Sequence, residues 1–107
     1  MAQKRKTDTV GYEQQETFKP QSPEEKHLAQ AFTKLKDDKE ILSFLRDLLT
    51  LSEIKEFSSR LEMARLLKAG HSYQEVADML KVSTTTVTRT AHWLFHGCGG
   101  YQKVLSR

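Results

Sequence analysis

The segment of residues 72–96 constrains the fold most strongly, because it contains two helix start signals separated by a short gap. The first signal is the capping box of Ser72 and Glu75, in which each side chain accepts a hydrogen bond from the other residue's backbone N–H. The second is Ser83, which can cap another helix after the tight turn at residues 81–83. Two short helices joined by such a turn form a helix-turn-helix. We expect the first of them to turn these residues inward: Val76, Ala77, Met79 and Leu80.

The second helix of this motif has an unusual composition, because β-branched residues, which locally favour a strand, fill its first half. Val87, Ala91 and Leu94 nevertheless recur at i, i+4 and i+7, which is the period of a helix. We therefore predict a helix with one apolar stripe. Its other face consists of hydroxyls, a guanidinium and an imidazole without any acidic side chain: Thr84, Thr85, Thr88, Arg89 and His92. Side chains of these types can contact base edges in the major groove of DNA.

The region from about residue 49 to residue 105 resembles the Trp repressor family, and more closely its YerC/YecD-like branch. The resemblance is carried by the run SRLEMARLLKAGHSYQEVADMLKVSTTTVTRTAHWL and by the glycine-rich GCGGYQKVL that follows it. The threonine-arginine pair of the family's recognition helix matches Thr88 and Arg89. The resemblance implies an all-α fold, a Trp repressor-like helical bundle with a helix-turn-helix, which forms an intertwined homodimer on double-stranded operator DNA.

The expected DNA contacts divide into base readers and phosphate binders. Threonine side chains and Arg89 can contact base edges in the major groove, whereas Tyr73 and Gln74 at the start of the first motif helix can bind phosphates. The complete predicted DNA-binding set is Tyr73, Gln74, Ser83, Thr84, Thr85, Thr86, Thr88, Arg89 and His92. Because the two motifs of a dimer enter successive major grooves, the operator should be an approximate palindrome.

The resemblance also locates an effector pocket between two arginines of the family. One of them matches Arg89, whereas the other falls on Ser59, with Arg60 next to it but rotated by about 100° around the helix. Trp93 and Thr90 stand where the family has a small residue and a glycine, and we expect them to fill the pocket. We therefore expect no tryptophan binding of the kind found in the family, and a requirement for any other corepressor stays open.

Composition and charge favour a cytoplasmic DNA-binding protein. No apolar run approaches the ~18 residues of a membrane span, and residues 4–6 (Lys-Arg-Lys) do not lead into the apolar segment of a signal peptide. The single Cys98 cannot form an internal disulfide, which favours a reducing compartment. No acidic residue follows Asp78, so the C-terminal third is basic.

The chain of 107 residues suits one helical domain, residues 22–107, after an N-terminal tail, residues 1–21. The basic residues of the tail form either a solvated terminus or an arm that reaches DNA. Helix start signals at Ser22 and Asp37 predict helices that end near Lys36 and Leu49. A third helix begins after Thr50 or Ser52 and stops at Gly70. Beyond the glycine-rich segment 97–100, we expect a helical turn that covers the core or a partner.

The second of these helices carries apolar residues around more of its circumference than one core face requires: Ile41, Leu42, Phe44, Leu45, Leu48 and Leu49. A small domain gains from burying such surface on a second copy, so we expect a homodimer. A helical protein-interaction module without DNA binding is the alternative function.

Three chemical alternatives are less well supported by the residue pattern. His92, His96 and Cys98 have spacings compatible with zinc, but a closed site needs a fourth ligand, for which only His71 is nearby. A nucleophilic cysteine-histidine pair lacks an orienting third residue. The glycine-rich segment lacks the lysine-serine ending of a phosphate-binding loop. We therefore expect no enzyme activity and no cofactor.

Overall fold

The computed structural model describes residues 17–106, and within this part the chain forms six helices and no strand. The helices are α1 Pro23–Phe32, α2 Asp38–Leu48, α3 Leu51–Lys68, α4 Tyr73–Leu80, α5 Thr84–His96 and α6 Gly100–Leu105. The expected all-α class is confirmed. The basic stretch at residues 4–6, with the rest of the tail up to residue 16, lies outside the described residues.

Local capping explains where five of the helices begin. In each case the N-cap oxygen accepts a hydrogen bond of 3.0–3.2 Å from the backbone N–H three residues further on. The capping residues are Ser22, Asp37, Thr50, Ser72 and Ser83. The start of α3 is thus set by Thr50, and the predicted caps of α4 and α5 are confirmed.

The end of α1 differs from the prediction, because the helix stops at Phe32 and not near Lys36. The backbone N–H groups of Lys34 and Leu35 bond to carbonyls three residues back, a tighter turn than the α-helix. The Thr33 hydroxyl also donates to the carbonyl of Gln30 at 2.6 Å. At the end of α3 the prediction is right, because Gly70 adopts a left-handed φ of 104° just beyond Lys68.

Residues 58–106 form one unit with its own hydrophobic core. The core consists of Met63, Ala64, Leu66, Leu67, Val76, Ala77, Val87, Ala91 and Leu94. From α6, Tyr101 and Leu105 pack against it, so the C-terminal helix covers the core as expected. This core holds α4 and α5 together by their apolar faces.

Met79 does not join this core, although the sequence pattern placed it inside. Its side chain is 54% exposed, whereas Val76 and Ala77 are buried and Leu80 packs against the core. The side chains of Val76, Ala77 and Leu80 point toward one side of α4. Around the helix axis, Met79 lies about 100° from the mean direction of these three side chains. Its inward assignment was therefore wrong.

Residues 18–57 form the other unit, and they bury little apolar surface. Neither α1 nor α2 contains a buried residue, although Phe32 and Phe44 make an edge-to-face contact with ring centroids 5.3 Å apart. The large exposed apolar residues of this unit are Phe18, Leu28, Phe32, Ile41, Leu42, Leu48, Leu51 and Phe57. None of the helices between residues 17 and 106 is long and apolar enough to cross a membrane.

Candidate nucleic-acid interface

The turn between α4 and α5 is closed by an unusual backbone conformation at Lys81. This residue is left-handed, with φ 58° and ψ 48°, and the N–H of Val82 bonds to the carbonyl of Ala77 at 3.0 Å. A left-handed residue at a helix end satisfies free carbonyls, and glycine usually occupies it. Because the chain has lysine there, this conformation could not be predicted from the residue type. The turn directs the chain into the Ser83 cap of α5.

Helix α5 forms as the periodicity predicted, despite its β-branched composition. Val87, Ala91 and Leu94 are buried against the core, and Thr90 is buried beside them. The opposite face is exposed and comprises Thr84, Thr85, Thr88, Arg89 and His92. The structure therefore brings together on one exposed face five of the nine side chains that the sequence analysis assigned to DNA.

The threonine hydroxyls on α5 are not equivalent. The Thr88 hydroxyl donates to the carbonyl of Thr84 at 2.9 Å, and the hydroxyls of Ser83 and Thr86 lie 3.0 Å apart. Ser83 and Thr86 thus use their hydroxyls at the helix start. By contrast, the Thr84 and Thr85 hydroxyls have no hydrogen-bond partner within residues 17–106. These two hydroxyls are available to an external ligand.

At the start of α4, Tyr73 and Gln74 are exposed as a phosphate-binding role requires. The side-chain amide of Gln74, however, donates to the Asp78 carboxylate at 2.9 Å. One of its two donor hydrogens is therefore already used.

The Ser72–Glu75 capping box is complete, and the Ser72 N–H donates to the Glu75 carboxylate at 2.8 Å. This hydrogen bond lowers the pKa of Glu75.

A cavity of about 430 Å³ lies in the unit of residues 58–106, next to α5. It is lined by Arg60, Arg89, Thr90, Trp93 and Tyr101. Thr90 and Trp93 both line this cavity. That they fill the effector pocket of the family stays a prediction, because only the resemblance defines that pocket. Among the predicted effector residues, Arg60 and Arg89 border the cavity, whereas Ser59 does not. The rotated position of Arg60 therefore still places its side chain at the cavity.

Tyr101 was not among the predicted site residues, but α6 brings it to the cavity. Partial burial raises the pKa of its phenol, and the positive charge of Arg60 opposes this shift. The position of α6 depends on Gln102, which donates to the carbonyl of Leu94 at 2.9 Å and accepts from the Lys68 ammonium at 3.0 Å. No local sequence signal marks a glutamine that bridges three helices.

A second space, of about 500 Å³, shares Trp93 and Tyr101 with the first and is mainly apolar. Its remaining lining residues are Leu61, Cys98, Gly100 and Val104. Trp93 is 57% exposed and makes an edge-to-face contact with His92, with ring centroids 5.2 Å apart. An apolar surface of this kind can bind an apolar ligand or another protein.

Of the residues considered for zinc, His92 and His96 lie close to each other. The rings of His92 and His96 have centroids 5.7 Å apart, and Cys98 is exposed. Within residues 17–106, no group of three histidine, cysteine or acidic side chains is arranged to hold a metal ion.

Comparisons with known proteins agree with the helical architecture. The sequence model of the family described as "Trp repressor protein" matches residues 24–107. The chain is 37% identical over 73 residues to the uncharacterized protein YerC of Bacillus subtilis, which covers 68% of this chain and 70% of that protein. The crystal structure of a TrpR-like protein from Eubacterium eligens matches with a TM-score of 0.75 and 33% identity, over 81% of this chain and 90% of that one.

Proposed function

This chain belongs to the Trp repressor family, and we propose that it is a homodimeric, sequence-specific regulator that represses transcription by occupying a palindromic DNA operator. The family is one of DNA-binding regulators, which supports this general class of function. A small chain most simply represses by covering a promoter.

The exposed face of α5 is the observation that carries this proposal. It offers two unpaired hydroxyls, the Arg89 guanidinium and no carboxylate, and the buried stripe on the opposite side fixes its orientation. Threonine side chains can contact base edges, and arginine binds either guanine or phosphate. Beyond Asp78 the sequence is entirely free of acidic residues, so this surface does not repel a phosphate backbone.

The proposed dimer is supported by the apolar surface of the unit of residues 18–57. Two helices without one buried residue cannot account for their own stability, because burial of apolar surface is the main favourable term in folding. A second copy can cover side chains such as Leu42, which is 60% exposed. In the dimer, two copies of α5 would enter major grooves about 34 Å apart. Each copy would read one half of the operator.

A small-molecule effector could bind in the open cavity next to α5. Two guanidinium groups, from Arg60 and Arg89, border it and can attract an anionic ligand. Tryptophan is not the expected ligand, because Trp93 and Thr90 stand where the resemblance places a small residue and a glycine, and their larger side chains would occupy the pocket that tryptophan uses in the family. Isothermal titration calorimetry with tryptophan tests this expectation. Micromolar binding would show it to be wrong.

The function itself is tested by affinity selection of fragmented genomic DNA at roughly physiological salt. The wild-type protein is compared with a variant that carries Thr84→Ala, Thr85→Ala and Thr88→Ala, and with Thr33→Ala as a control in the other unit. We expect the wild type and the control to enrich one palindromic site and the triple variant to lose it. Enrichment that is equal for all three proteins would exclude readout by α5.

Salt dependence separates DNA binding from the alternative of a protein-interaction module. DNA affinity should fall steeply with ionic strength, with a log–log slope of about −0.9 for each phosphate contact. A protein partner bound by the same hydroxyl-rich face would show a weaker dependence. Capture of a protein with little salt dependence, together with no DNA enrichment, would favour the interaction module.

A further inference from the structure

Thr88 differs from the other threonines on the exposed face of α5 in how its side chain is oriented. Its hydroxyl donates a hydrogen bond of 2.9 Å to the Thr84 carbonyl, one helical turn back. The two branches of a threonine point in different directions from Cβ, so a hydroxyl held against the helix leaves the methyl group directed away from that carbonyl. Since Thr88 is exposed, this methyl group is accessible from outside.

This arrangement limits the chemistry of Thr88. A hydroxyl has only one donor hydrogen, and in Thr88 the backbone holds it. Thr88 can therefore not donate to base acceptors without losing its intrahelical bond. Thr84 and Thr85 carry hydroxyls that no residue between 17 and 106 engages. The same residue type thus has free hydroxyls at the start of α5 and a backbone-bound hydroxyl one turn later.

We propose that Thr88 determines specificity by contacting the C5-methyl group of a thymine with its own methyl group. This inference rests on the proposed DNA-binding function and names the base that one position reads. In the major groove the thymine methyl is the only apolar group on a base edge, and a threonine methyl is a suitable partner. Four residues of helix rise about 6 Å, so Thr88 lies one helical turn beyond Thr84 on the same face of α5.

Uracil substitution tests the contact directly, because uracil lacks only the methyl group of thymine. Binding is measured on the selected operator and on duplexes in which single thymines are replaced symmetrically in both half-sites. Burial of one methylene-sized group contributes about 0.8 kcal/mol, which corresponds to about fourfold in affinity. Replacement of thymine by uracil at one position should therefore lower the affinity of the wild type about fourfold for each half-site. Replacement in both half-sites should lower it about 15-fold.

Two variants of Thr88 separate the methyl group from the hydroxyl. Thr88→Val retains a methyl group and loses the hydroxyl, and we expect it to preserve the preference for thymine over uracil. Thr88→Ser retains the hydroxyl and loses the methyl group, and we expect equal binding of the two duplexes. Thr33→Ser is the matched control, because it removes the same methyl group outside α5 and keeps the hydroxyl that donates to the Gln30 carbonyl, so it should leave the preference unchanged. Circular dichroism melts establish that all variants fold.

The possible outcomes distinguish this inference from the proposed function. If the wild type binds its operator but tolerates uracil at every position, the methyl contact does not exist. If Thr88→Ser keeps the thymine preference and Thr88→Val loses it, the hydroxyl is the reading group and the inference is overturned. If the wild type selects no DNA site at all, the proposed function itself fails, and the inference fails with it.

Discussion

Replacement of Gly97 by alanine should destabilise the fold through one close backbone approach. A Cβ atom at Gly97 would lie 2.2 Å from the carbonyl oxygen of Trp93 and 3.1 Å from its carbonyl carbon. The backbone of Gly97, with φ −91° and ψ −159°, is open to any residue, so the conflict arises from the contact. Backbone atoms cannot rotate away, and the last turn of α5 must therefore shift.

The size of the effect follows from the distance. Real Cβ contacts are almost never shorter than 3.0 Å, so the atoms must separate by at least about 0.8 Å. Inserting a methyl group into a packed site costs about 1–3 kcal/mol. Replacement of glycine by alanine also lowers the conformational entropy of the unfolded chain, which stabilises the folded state by about 0.4–1 kcal/mol. The net loss should be about 1.3 kcal/mol at the centre of these ranges, which lowers the Tm of a domain of this size by roughly 5–10 °C.

Gly100→Ala provides the control, because a Cβ at Gly100 has no atom within 4 Å and the residue has no left-handed φ. Both variants remove one glycine from the unfolded chain, so the difference between them isolates the contact at Gly97. Thermal and urea unfolding at one fixed protein concentration measures it, with the fluorescence of the single tryptophan, Trp93, as a local probe. Equal stability of the two variants would refute the reasoning.

Three further predictions concern the same unit. Leu94→Ala should lower the free energy of unfolding by about 2–5 kcal/mol, because Leu94 is fully buried, and urea denaturation measures this loss. The pKa of Glu75 is lowered below 4.5 in the folded state, so its contribution to stability is complete above pH 4.5 and is lost as the pH falls through the folded pKa. Unfolding of Glu75→Gln between pH 3 and 6 should therefore show a weaker pH dependence than that of the wild type. Arg60→Gln should raise the pKa of Tyr101 further, because Arg60 opposes the effect of burial, and absorbance titration against Tyr101→Phe detects the change.

Features that depend on short-range interactions could be predicted from the sequence. The caps at Ser72 and Ser83 involve groups only three residues apart, so their residue types and spacing are sufficient. The helical state of α5 followed from its period, since Val87 and Leu94 could reach one core only from the same face of a helix. The exposed threonines were then identified by elimination.

Features that depend on distant parts of the chain could not be predicted. The cavity beside Arg60 includes Tyr101 from α6 in its wall, and α6 is held by a contact between Lys68 and Gln102 across 34 residues. The use of the Thr88 hydroxyl is also invisible in a sequence, since threonine has two rotamers of comparable stability in a helix. Both the cavity and the orientation of the Thr88 side chain depend on how the helices pack in three dimensions.

Hydroxyl-radical footprinting of the wild type on its selected operator tests the central claim most directly. Two copies of α5 in a symmetric dimer predict two protected regions related by the two-fold axis of the palindrome, with centres about 10 base pairs apart. Loss of both regions with the Thr84, Thr85 and Thr88 alanine variant would assign them to α5. A single protected region without two-fold symmetry, or protection that the variant retains, would contradict the account.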